Sequence, residues 1–231
     1  MDVNDPCSLA REPIVNAGDE INARDKQLAD QQAAVAMQGR ALPEVTRVGN
    51  QVQLNFGNIL ANAIKHAQLS QQAYVALKQH ENGSDAAAVL ASVEHDASSD
   101  REKFTSVHIA VQRLRECRGT QILNAQTLAD LTDAQRRDKL RVQQVKLNED
   151  DKLVAEVFGD YAKRAELYLE ASSSVSGKAG STSARSSPRR SRAPSNTPVQ
   201  QFNDEQRAAL IADRKQSETL HETLQSSISG T

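Results

Sequence analysis

The sequence predicts an all-α protein of long helices, and three observations carry that prediction. Apolar residues recur in steps of seven at Ile14, Ile21, Leu28, Val35 and Leu42, then in the same phase at Phe56, Ala63 and Leu77. Such a repeat buries one stripe of a helix against another helix. Ala, Gln, Glu, Lys, Arg and Leu dominate the first three quarters, and β-branched and aromatic residues never build an alternating strand block. Finally, 231 residues with 3% aromatics, no Trp and 38% hydrophobic residues leave little material for a thick core and suit long thin helices. The expected architecture is three or four coiled-coil-like helices, in a bundle or a hetero-coiled coil, with a disordered Ser/Arg/Pro linker and a short C-terminal helix.

Taken in order, residues 1–12 read as a tail and 13–171 as the helical region. The first helix is expected to open near Glu12-Pro13, because Pro is tolerated in a first turn, and to run to about Gln38-Gly39. Pro43 is a kink or a new first turn, since the phase persists beyond it. The companion row is polar early (Arg24, Gln31, Gln38) and apolar later (Val45, Val52, Ile59), and Gly49 and Gly57 are the weak points of the second helix. The partner interface is therefore expected on Ile14, Ile21, Leu28, Val35, Leu42, Val45, Val52, Phe56 and Ile59.

Glu81-Asn82-Gly83-Ser84-Asp85 reads as a turn with Ser84 or Asp85 as the next N-cap. A third helix follows on Leu90, Ala97, Phe104 and Val111 with Val93, Val107 and Leu114, fraying near Asp96–Asp100 and ending near Arg118-Gly119. From about Gln121 to Ala171 a further helix repeats Leu140, Leu147, Val154, Tyr161 and Tyr168, supported by Val157 and Phe158.

Residues 172–201 carry five basic and no acidic side chains, while 1–172 carry 20 basic and 25 acidic, and 202–231 carry three and five. The stretch is rich in Ser, Gly and Pro and cannot recover the ordering entropy of folding, so it is expected to be a flexible linker. Ser187-Pro188-Arg189-Arg190 resembles the consensus of proline-directed, cell-cycle-type kinases. Ser187, Ser195 and Thr197 are the expected phosphorylation sites, each phosphate adding about −1.5 to −2 charge. Unmodified, the linker suits a weak electrostatic contact with an acidic surface, without base stacking. The docking helix is expected at 202–226, on Phe202, Leu210, Ile211, Leu220 and Leu224, with 227–231 as a tail.

Catalytic signals are missing. The five histidines (His66, His80, His95, His108, His221) lack a second ligand at i+3 or i+4, and no phosphate-binding glycine loop or nucleophile elbow occurs. The chain is therefore expected to be no enzyme, with no catalytic residues, no metal, no cofactor and no small-molecule substrate. Cys7 and Cys117 have neither CxxC nor Cys/His spacing and are expected to be ordinary thiols, with a disulfide between them as the alternative.

The N-terminus shows no basic-then-apolar leader and no window suits a transmembrane segment. The expectation is a cytoplasmic or nuclear scaffold subunit of a multi-protein assembly, of the kinetochore, cytoskeletal or tethering class, whose partners are other helical chains in a hetero- or homo-oligomer. The alternative is a disulfide-stapled helical-bundle binding protein of the periplasm or cell surface, or a secreted one, if Met1 is not the native start.

Overall fold

In a computed structural model the described residues are 5–38, 74–128, 131–179 and 197–229, with side chains described over 5–31, 74–128, 131–176 and 197–229. All regular structure among them is helical. The helices are α1 (Ser8–Gln38), α2 (74–81 among the described residues), α3 (Ala86–Thr127), α4 (Asp133–Ala179) and α5 (Pro198–Ser229). None of the described helices is long and apolar enough to cross a membrane.

Local chemistry sets most of the boundaries. α1 opens at Ser8, four residues earlier than expected, and carries Pro13 inside. The Pro13 ring removes the N–H that would bond the Leu9 carbonyl and crowds that carbonyl, and Leu9 is 80% exposed. The turn at 82–84 forms as predicted. Gly83 and Ser84 adopt left-handed φ values of 61° and 65°, and the Asp85 carboxylate accepts from Ala87 N at 3.0 Å to start α3.

α3 does not fray at 96–100 and does not stop at Gly119, contrary to expectation, but runs on to Thr127. α4 opens at Asp133. There Thr132 and Gln135 form a capping box, Gln135 N donating to Thr132 Oγ1 at 3.4 Å and Thr132 N to Gln135 Oε1 at 3.0 Å.

α4 continues past 171 to Ala179, so the stretch 172–179 is helix and not the start of a linker. Ser172 and Ser173 donate to the Leu169 carbonyl, Ser174 donates to that of Glu170, and Val175 is buried. α5 is longer than expected, with Pro198 in its first turn and Thr197 Oγ1 accepting from Gln200 N at 3.3 Å.

The described residues divide into two compact units. The first takes the described parts of Met1–Ile21, Ser98–Ala165 and Gln201–Thr231. Its centre is aromatic: Phe104 lies 5.3 Å from both Phe158 and Tyr161, and 6.1 Å from Phe202. Four of the chain's seven Phe and Tyr residues thus meet around Phe104, each large ring burying much apolar surface. Ile122, Ala125, Leu140, Leu147 and Leu224 form a second apolar cluster, flanked by Leu220 and Ile228. α1 approaches α4 closely enough that a Cβ on Gly18 would stand 3.1 Å from Val157 Cγ2.

The second unit takes the described parts of Asn22–Ala97 and Glu166–Gln200. Tyr74 packs edge-on to Tyr168 at 6.0 Å and donates to Asp96 Oδ2 at 2.8 Å. Lys78 joins the same carboxylate at 3.0 Å. Burial pushes the Lys78 ammonium down, but Asp96 and Glu81 outweigh it and hold it above its ordinary range.

Candidate functional site

The densest chemistry of the first unit surrounds Cys7, Arg115 and Arg118. Cys7 and Cys117 are joined by a disulfide with Cα atoms 5.8 Å apart, which corrects the expectation of free thiols. The sequence offered no spacing rule for this pair because the half-cystines are 110 residues apart. Arg118, buried and next to Cys117 in the sequence, donates through Nη2 to Asp5 Oδ2 at 2.9 Å, through Nε to Asp150 Oδ2 at 2.9 Å, and through Nη1 to Gln143 Oε1 at 3.1 Å. Lys146 adds a contact to Asp5 at 3.3 Å, and Arg11 approaches Asp150 at 3.9 Å.

The two carboxylates respond differently. Burial pushes Asp5 up, but the Arg118 fork, the Cys7 N–H and Lys146 outweigh it and hold Asp5 below its ordinary value. Asp150 is wholly buried, and there burial wins over Arg118 and raises it. Its Oδ1 accepts no hydrogen bond among the described residues.

One turn earlier, Arg115 forks Asp213 of α5 through Nε at 2.8 Å and Nη2 at 3.0 Å, and reaches Asp151 of α4 through Nη1 at 2.6 Å. Asp151 also accepts from Ser217 Oγ at 2.7 Å and lies 2.6 Å from His221 Nε2. Burial opposes ionisation of Asp151, but His221, Ser217 and Arg115 outweigh it and hold the carboxyl below its ordinary value.

Serine, histidine and aspartate therefore meet, but in the wrong order for nucleophilic catalysis. Ser217 gives its proton to the carboxylate and not to the imidazole, so the arrangement pins α5 onto α4 and activates no hydroxyl. Groups of three or more His, Cys, Asp or Glu suited to a metal are absent among the described residues.

The expected partner seam is redistributed. Ile14 and Ile21 are buried in the first unit, which corrects their assignment to a partner interface: this chain's own helices fill their stripe. Leu28 is half-buried in the second unit. The side chain of Val35, and Leu42, Val45, Val52, Phe56 and Ile59, lie outside the described residues, as do Pro43, Gly49, Gly57, Ser187 and Ser195.

Of the docking positions, Phe202 and Leu224 are buried and Leu220 partly so, whereas Leu210 and Ile211 are 42% and 70% exposed. α5 thus docks on its own chain, helped by the forked pair of Arg101 with Glu205. Thr197 is an N-cap. Reasoning from sequence missed Arg115, Arg118, Asp150 and Asp213, since RLRECR reads as a solvated helix face. No protein-family profile matches the chain, and neither curated proteins nor solved structures show significant similarity to it.

Proposed function

We propose that this chain is a non-enzymatic helical-bundle protein that binds other helical chains as a scaffold or adaptor, and that it works in a disulfide-permissive compartment, at the cell surface or in the periplasm. The observation that carries the reading is the Cys7–Cys117 bridge, since such bonds persist in oxidising environments and are rare in reducing ones. The buried ion pairs of Arg115 and Arg118 support it by spending the chain's charged chemistry on holding helices together and not on a cleft. Leu210 and Ile211, left outward on α5, are the surface such a protein would offer a partner. A disordered basic linker belongs to this reading as the tether before α5.

The intracellular scaffold, with phosphorylation at Ser187, Ser195 and Thr197, is the second reading, supported by the Ser-Pro-basic run. The thiol state separates the two. Chain isolated from its native source under alkylating conditions should carry no label and weigh two hydrogens less than the dithiol; full labelling overturns the oxidising compartment and favours the intracellular scaffold. Capture of a partner by the wild-type chain but not by Leu210→Ser/Ile211→Ser tests the binding role.

A further inference from the structure

The outer face of α4 is nearly its own charge complement when reversed about Val145. Val142 and Val145 are 51% and 57% exposed, and around them Asp138, Arg141, Glu149 and Lys152 are also exposed. Asp138 and Lys152 lie seven residues on either side of Val145, and Arg141 and Glu149 lie four. Steps of seven and of four return to one helix face, so these side chains line a single stripe.

A two-fold axis across α4 at Val145 brings residues together whose numbers are equally far from 145. Asp138 then meets Lys152, Arg141 meets Glu149, Val145 meets itself, and Val142 faces Asn148. Every charge on the stripe finds its opposite, twice over, about an aliphatic centre. A parallel, in-register pairing places each charge beside its own kind, so the pattern selects the antiparallel one.

We infer that the exposed face of α4 from Asp138 to Lys152 is a self-association surface, on which a second copy of this chain packs antiparallel about Val145. This names a partner for the scaffold reading and rests on that reading, though not on its compartment. The contacts these side chains make within one chain are loose. Arg141 reaches Asp138 at 3.5 Å and Arg11 reaches Glu149 at 3.7 Å, both at the surface, so they exchange for intermolecular pairs at little cost. The stripe is narrow, which makes the dimer weak and reversible.

Charge reversal tests the geometry without touching the core. The full-length wild-type chain should dimerise reversibly in equilibrium sedimentation at concentrations up to about 1 mM. Arg141→Glu places glutamate against Glu149 of the second copy, and Glu149→Arg places arginine against Arg141; each variant alone should dimerise at least about tenfold more weakly. An equimolar mixture of the two should recover a heterodimer, because every pair is again opposite, and the double variant R141E/E149R should self-associate like the wild type. Circular dichroism checks that each stays helical.

A wild-type chain that stays monomeric, single variants that dimerise unchanged, or a mixture that stays monomeric would each overturn the inference. A monomer would leave the disulfide and its compartment untouched, so the two proposals fail separately.

Discussion

Arg118 Nη2 and Asp5 Oδ2 meet at 2.9 Å although 113 residues separate them in sequence, and both side chains are almost fully removed from water. The contact sits beside the Cys7–Cys117 bridge, so a covalent and an ionic link tie the start of the chain to α3. They are not equivalent. The bridge restricts the unfolded chain, whereas the ion pair is an internal obligation of the folded one.

Removing Arg118 should therefore be costly. Arg118→Ala leaves Asp5 and Asp150 buried without their guanidinium, a loss of about 3–5 kcal/mol in denaturant unfolding. Asp150→Asn should cost much less, because Arg118 keeps Asp5 and Gln143 while a carboxylate that burial already disfavours is removed. Equal losses from the two variants would show that Asp150, and not Asp5, is the principal partner.

The bridge closes a loop of 110 residues, for which chain entropy predicts about 4–5 kcal/mol of stabilisation. Reduction, or Cys7→Ser, should lower the denaturation midpoint while far-ultraviolet dichroism at low denaturant stays helical, since the buried aromatic cluster around Phe104 is independent of the sulfurs. Loss of helicity on reduction alone would mean that the bridge is needed to form the unit at all.

Acid should act in two stages of opposite sign. The folded value of Asp150 is raised above its ordinary 3.8, so the folded state takes up its proton first, and stability rises as pH falls from that folded value toward 3.8. Asp5 and Asp151 are depressed; their stabilisation is complete above 3.8 and is lost as pH falls below it through their folded values. Melting temperature against pH should show a mildly acidic optimum followed by a steep decline. In Asp150→Asn the optimum should flatten and the decline remain.

These expectations draw on contacts that were legible to different degrees. The step-of-seven row of α4 was plain in the sequence, and Leu140, Leu147, Val154, Tyr161 and Tyr168 are all buried. The turn at Asn82-Gly83 was equally local and equally clear. Gly119 was misread as a stop, because a glycine's low helix propensity costs only about 1 kcal/mol and is outweighed here by the burial of Leu114 and Ile122 on either side of it in the same helix. The start of α4 carried its own signal in Thr132-Asp133-Ala134-Gln135, a capping box. Arg115 and Arg118 were not legible, since what buries them arrives from Asp5, Asp150, Asp151 and Asp213, far along the chain.

Two further glycines lie inside helices and separate packing from propensity. At Gly159 of α4 a Cβ would meet nothing within 4 Å. Gly159→Ala should therefore gain the propensity difference, about 1 kcal/mol, as a higher melting temperature. At Gly18 of α1 the same methyl would press on Val157 Cγ2 at 3.1 Å. Val157 is buried, and its branched side chain has few other rotamers in a helix, so relief requires α1 itself to shift. Gly18→Ala should accordingly gain nothing or lose stability despite the identical propensity change. The difference between the two variants, read in one denaturant titration, measures how tightly α1 is seated on α4; if both stabilise alike, that seating is looser than the 3.1 Å approach implies.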